Sequence, residues 1–152
     1  MQTEQTFSFV KPESVMRGLI GEIVTRFERK GLLLVAGKLI KMSTDQAQKL
    51  YEMHKGKPFY HELVSHVASG PVFVMIWEEP NAITIVRSLI GATNPVNAAP
   101  GTMRGDFAVS VTANAIHAAD TQENAKRELS IFFTPNEITQ YTKPTEHEYL
   151  LK

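Results

Sequence analysis

The chain has 152 residues, 43% of them hydrophobic and 21% charged, an ordinary globular composition with enough length to bury a core unaided. Sixteen basic residues balance sixteen acidic ones, so no net field points to nucleic acid or to an anionic membrane surface. The absence of cysteine excludes disulfides, thiolate catalysis and a cysteine-held zinc. No stretch resembles a targeting segment or approaches a membrane span, so the expectation is a soluble cytoplasmic protein without nucleic-acid or membrane partners.

In chain order, Thr6-Phe-Ser-Phe-Val10 alternates and predicts a half-buried strand, ended by Lys11-Pro12. Ile20, Ile23, Val24 and Phe27 fall on one face of an amphipathic helix, with Gly31 placed to be its C′ residue. Residues 32–42 are apolar and too short between breakers for anything but a buried strand, with a bend expected at Gly37. Ser43-Thr-Asp-Gln46 forms a capping box for a helix through Ala47, Leu50 and Tyr51. A turn at Lys55-Gly-Lys-Pro58 leads into a helix over residues 59–68, and Gly70-Pro71 opens a strand over 72–77. A further helix covers 82–89 and closes at Gly91. Residues 92–105, with Pro95 and Pro100, read as a long loop of the kind that is functional or touches a neighbouring subunit. Residues 109–116 give the weakest strand. Asp120-Thr-Gln-Glu123 is a second capping box, starting a helix that buries Ala125, Leu129, Phe132 and Phe133, and the tail beyond Pro135 is expected to wrap the surface.

This order predicts an α+β chain: a ferredoxin-like split βαβ with a four-stranded antiparallel sheet, helices on one face and additional helices, residues 1–152 forming a single domain. A doubly wound parallel sheet is the alternative that periodicity leaves open.

Neither common Gly-rich phosphate loop is present, nor is His-Glu-x-x-His, and the five histidines lack a metal spacing. A nucleotide would have to be held by side chains. His117 lies between a strand-like run and a capped helix, and a neutral imidazole can accept a phosphoryl group on nitrogen and pass it on. Glu128, two helical turns into the next helix, could reach back to fix its tautomer. The competing reading is a histidine that merely closes a strand. Lys11, Arg87 and Arg104 are cations at element ends or in loops, suited either to phosphate or to solvent. Tyr51 and Phe59 sit near helix ends, able to stack on a base or to pack in a core, and for Phe59 the residue pattern alone favours the core.

Ordered landmarks now add up: Phe9-Val-Lys11-Pro12, Arg17-Gly18-Leu-Ile-Gly21, Arg26-Phe27-Glu28, Lys57-Pro-Phe59, Ser69-Gly-Pro71, Gly91-Ala-Thr93-Asn-Pro95, Pro100-Gly-Thr102, Arg104-Gly-Asp-Phe107 and Asn114-x-x-His117. Along nearly its whole length the chain resembles the nucleoside diphosphate kinases. The resemblance implies that His117 is phosphorylated by a nucleoside triphosphate and dephosphorylated by a diphosphate, in a ping-pong exchange tolerant of different bases. It further implies that Lys11, Arg87, Thr93 and Arg104 hold phosphates, with Lys11 also near the sugar. Asn114 would bind the ribose 3′-hydroxyl, Phe59 stack beneath the base, Tyr51 flank the moving phosphate and Glu128 orient His117. Mg2+ would bridge the nucleotide phosphates with no direct protein ligand, Asp120 touching it through water. A homo-oligomer is implied, a hexamer ahead of a tetramer. A catalytically weak nucleotide-binding regulatory or interaction module is the alternative function. A ligand-sensing domain would share the fold alone.

One departure bears on chemistry. The family usually has His-Gly-Ser-Asp, where this chain has His117-Ala118-Ala119-Asp120. Ala119 offers no hydroxyl to Glu128 or to the phosphate, so an active but slower enzyme is expected. Ala118 implies that its position needs no positive φ.

Overall fold

The computed structural model describes residues 2–143. Its elements are β1 (Glu4–Val10), α1 (Pro12–Met16), α2 (Ile20–Arg29), β2 (Leu33–Ile40), α3 (Thr44–Leu50), α4 (Tyr60–Val67), β3 (Val72–Glu79), α5 (Ala82–Ile90), α6 (Met103–Phe107), β4 (Ile116–Ala118) and α7 (Gln122–Phe132). The strands form one four-stranded sheet in the order β2-β3-β1-β4, with every pairing antiparallel. This is the ferredoxin-like arrangement, and it removes the doubly wound alternative.

β1 lies inside the sheet, and its alternation sorts two cores. Phe7 and Phe9 face one side, joined by Val74 and Ile76 of β3, Leu50 of α3, Val64 and Val67 of α4, and Phe132. Val10, Met75 and Trp77 face the other, where α2 contributes Ile23 and Phe27 and α5 contributes Val86 and Ile90. Helices therefore cover both faces, not one as expected. The reason is visible in β3, whose two sets of alternate residues, Val72, Val74 and Ile76 on one side and Phe73, Met75 and Trp77 on the other, are both apolar and both need covering.

Local chemistry sets the boundaries. Gly31, at φ 106°, ends α2 in a Schellman motif: its own N–H bonds Glu28 O, and the Leu32 N–H bonds Phe27 O. Both bonds of the Ser43 capping box form. Asp120 does not cap α7; Thr121 does, its hydroxyl accepting from the Asn124 N–H, while Asp120 Oδ1 accepts from Asn124 Nδ2. The bend in β2 is an irregularity between Leu34 and Ala36 rather than at Gly37. The strand expected over 109–116 is a loop instead, and β4 is only Ile116–Ala118. The loop is held by its own Ser110–Ala113 bonds and by outside partners, which leaves little for a ladder. Within the expected 92–105 loop, Thr102 caps α6, which keeps Arg104 on ordered backbone. α1, opened by Pro12, has too few residues to show helical periodicity in sequence.

As far as Lys143 the tail runs beside β2, where the Thr139 N–H bonds Val35 O and the Tyr141 hydroxyl bonds Leu34 O. The remainder of the expected wrapping tail lies outside the described residues.

α7 is seated by Phe132, whose ring stacks on Phe7 at 5.2 Å and 2° between planes. Phe132→Ala should lower unfolding free energy by about 3–5 kcal/mol. Urea denaturation checks this, and a loss below about 1 kcal/mol would show that the stack is not a core contact.

Candidate active site

β4 pairs only with β1, aligning His117 with Phe9, so the imidazole projects on the Phe7 and Phe9 face of the sheet, toward α3 and α7. Its ring stacks on Phe9 at 5.0 Å and meets the Tyr51 ring edge-on at 5.7 Å. Nε2 is paired with Glu128 Oε1, from the buried face of α7. Rotation is thus blocked by aromatic walls, and Nδ1 is the ring nitrogen left without a protein partner among the described residues.

The turn before β4 is strained. Ala115 has φ 76°, and the Ile116 N–H bonds Asn114 O across it, which makes a γ-turn of the rare positive-φ kind. Such backbone costs about 1–3 kcal/mol and needs outside support. Arg104 supplies it: Nε bonds Asn114 O, Nη2 bonds Ile116 O and Nη1 reaches Gly91 O at the end of α5. Lys11 adds a main-chain bond from its N–H to Ala115 O. Ala118 lies outside the positive-φ region, as expected.

A cavity of about 480 Å³ opens onto these groups. Tyr51, Phe59, Arg87, Thr93, Arg104, Asn114, His117, Asp120 and Glu128 line it, so the fold gathers these sequence-selected residues from α5, α6, α7, β4, the end of α3, the start of α4 and loops. Lys11 does not line it directly. The residue is 3% exposed, and its ammonium bonds the carbonyl of Thr112, a lining residue, at 3.2 Å. Arg87 Nη1 bonds Ala118 O, and Asn114 Nδ2 bonds Thr93 O at 3.0 Å. Two buried polar atoms of lining residues, Tyr51 Oη and Asn114 Oδ1, have no partner among the described residues. Buried polar groups are nearly always satisfied, so orphans facing a cavity mark where a ligand would bond. Phe59 corrects the core expectation: its ring is 45% exposed at the mouth.

Burial shapes the electrostatics. It lowers Lys11 to about 8, assisted by the Arg104 charge and opposed by Glu13. Burial, with Arg87 nearby, lowers Arg104 to about 10. Burial, with Glu128 next, pushes the Tyr51 phenol up, so it stays a neutral hydroxyl. Asp120 is lowered, first by its bond from Asn124, and remains a carboxylate. Arg87 and Arg104 on the wall, with Lys11 bonded to the lining residue Thr112, outnumber the two acids Asp120 and Glu128, and that excess of positive charge suits phosphate.

Sequence reasoning missed His54, Leu63, Val111 and Thr112, all of which line the cavity. Ala119 is fully buried against Ile83 and Ala125, one turn before Glu128 on α7. No helix of the described residues is long and apolar enough to cross a membrane.

A family model described as nucleoside diphosphate kinase matches residues 4–138. A nucleoside diphosphate kinase of Metallosphaera sedula is 55% identical over 140 residues, covering 92% of this chain and 100% of that protein. One from Thermosipho melanesiensis is 54% identical over 138 residues, 91% of this chain and 94% of that protein. Among solved structures, a halophilic nucleoside diphosphate kinase from Halobacterium salinarum in complex with CDP has a TM-score of 0.93 at 43% identity, covering 97% of this chain and 98% of that one. A family protein from Babesia bovis has a TM-score of 0.91 at 46% identity, covering 95% and 98%. Sequence and fold match these relatives over nearly the whole chain, and the chain belongs to the nucleoside diphosphate kinase family and is a phosphotransferase enzyme.

Proposed function

We propose that the protein exchanges the terminal phosphate between nucleoside tri- and diphosphates through a phosphohistidine on His117. The observation that carries this is the fixed imidazole, with Nε2 paired to Glu128 and Nδ1 left free beside a cation-lined cavity. Nδ1 attacks the terminal phosphorus of a triphosphate, the bond to the bridging oxygen breaks, and the diphosphate leaves with that electron pair. A second diphosphate then attacks the phosphohistidine with its terminal oxygen and restores the imidazole. Glu128 holds the Nε2 proton and offsets the positive charge that develops on the ring.

In this reading Lys11, Arg87, Thr93 and Arg104 stabilise the in-line phosphoryl group, and the Tyr51 hydroxyl donates to it. Asn114 Oδ1 accepts from the ribose 3′-hydroxyl, and Phe59 stacks beneath the base through its π-face, which any base offers. The donor set fits Mg2+ carried on the nucleotide: Asp120 and Glu128 are the acids lining the cavity, and Glu128 is engaged by His117. Asp120 would hold the ion through water, and the ion would neutralise phosphate charge. Exposed Met16, Val96 and Val109 favour a homo-oligomer, a hexamer ahead of a tetramer. A cytoplasmic location completes the proposal.

Incubation with a nucleoside triphosphate labelled at its terminal phosphate should leave an acid-labile, base-stable label on the protein, absent from His117→Ala. A label that persists in the variant would sink the mechanism and favour the weak-binding module.

The Lys11 cation is present below its pKa of about 8 and lost above it. Phosphate capture by the free enzyme should therefore weaken on that side, with kcat/KM falling above about pH 8. Lys11→Arg keeps its charge and should remove this limb; a wild-type profile flat through about pH 9 would contradict the role.

Ala119→Ser places a hydroxyl next to Ala125, which sits one turn before Glu128 on α7. A hydrogen bond to a charged group is worth about 1.5–3 kcal/mol, so phosphotransfer should rise by about tenfold or more if it acts at the transition state. An unchanged or lower rate would show that nothing is missing beside His117.

A further inference from the structure

The inner cavity explains phosphate and sugar, but its mouth carries a pair of side chains that the exchange reaction does not use. Phe59 and Leu63, at the start of α4, and Val111 and Thr112, in the loop before β4, all line the cavity, with Phe59 and Val111 exposed. Glu62 stands three residues after Phe59, the N-cap of α4, so it lies one turn along from it on the same side of the helix. Its Oε1 accepts a hydrogen bond from the Thr112 hydroxyl at 3.1 Å, across the gap between helix and loop. Thr112 is itself anchored from within, its carbonyl accepting from Lys11 Nζ. The exposed Glu62 carboxylate is therefore pinned at the rim of the slot, with Oε2 bonded to no protein group among the described residues.

We propose that Glu62 is a specificity-determining residue, its carboxylate reading the outer edge of the base held between Phe59 and Val111. This rests on the nucleotide reading above and extends it. A carboxylate can only accept here, because the single proton in the pair belongs to Thr112. Cytosine and adenine present an exocyclic amino group that can donate to it, whereas uracil presents a carbonyl oxygen in the equivalent place and is repelled. Stacking remains indifferent to the base, so the result is a bias laid over broad tolerance. Cytosine and uracil make the cleanest comparison, since their rings stack alike and differ at that edge.

The experiment isolates phosphorylated protein and follows loss of the phosphohistidine on mixing with CDP or UDP, at one pH and Mg2+ concentration. The wild type should react faster with CDP by about threefold or more, a modest ratio because the carboxylate is solvent-exposed. Glu62→Gln keeps the shape and adds an amide donor, so the ratio should fall to one or reverse, through a slower CDP reaction and an equal or faster UDP reaction. Thr112→Val unpins the carboxylate and should give an intermediate ratio. A CDP-to-UDP ratio that is the same in wild type and Glu62→Gln overturns the proposal, including the case where both rates change together. A wild-type ratio retained in Thr112→Val overturns the pinning role of Thr112. If the wild type takes no phosphate at all, the exchange reading itself fails, which is a different result from a phosphorylated protein with an unchanged ratio.

Discussion

The guanidinium of Arg104 is buried and bonded to the main-chain carbonyls of Gly91, Asn114 and Ile116, and the geometry of the site depends on that arrangement. Two of these carbonyls flank Ala115, the residue forced to φ 76°. Without a buried cation to gather them, the turn would relax toward an ordinary conformation, and the three-residue β4 would lose its alignment with β1. His117 would then no longer meet Phe9 or Glu128. Lysine could not replace this residue, because a single ammonium cannot reach carbonyls on separate segments as a planar fork does. The same guanidinium closes one wall of the cavity, so the group that shapes the backbone also charges the pocket.

Concentrating cations in a buried place has an electrostatic cost, visible in the lowered Lys11 and Arg104. On the proposed function an incoming polyphosphate would relieve it, since Lys11, Arg87 and Arg104 outnumber the acids Asp120 and Glu128 around the cavity. The orphaned Tyr51 hydroxyl and Asn114 carbonyl follow the same logic. A site of this kind stores part of its binding energy as unmet hydrogen bonds and uncompensated charge. It is rigid for the same reason: His117 is walled by Phe9 and Tyr51, and Asn114 is tied to Thr93 O.

The sheet and most helices were legible in the sequence because their signals are local. Alternation at Thr6 to Val10, the Ser43 box and Gly31 each act within a few residues. What the pattern alone misjudged depends on distant partners. Residues 109–116 have the composition of a strand but lie as a loop, with Lys11 and Glu62 bonding Thr112 from outside. Phe59 looked like a core residue because hydrophobicity says nothing about which side of a helix end faces a cavity. Helices on the second face escaped notice for a similar reason, since coverage is a property of the sheet rather than of any strand. His117 and Glu128 could be paired on helical spacing, whereas the bonds from Arg104 to Gly91 and Ile116 join segments whose proximity no local rule supplies.

Burial divides the pocket into two regimes. Inside, Lys11, Arg104, Asn114 and Glu128 are almost fully buried, and each is tied to a neighbour that would be stranded by its removal. Changes there must be compensated, because an abandoned buried partner costs as much as the lost contact. At the mouth, Phe59, Glu62 and Val111 are exposed, and water can replace whatever they give up. On the proposed function, substitutions at the rim would alter which base is favoured without disturbing the histidine, while substitutions inside would alter phosphate handling and stability together. Ala119 tests the boundary between these regimes. It is fully buried but apolar, and it makes no side-chain hydrogen bond whose loss would strand a partner, so it is the kind of interior position where sequence can drift next to the chemistry.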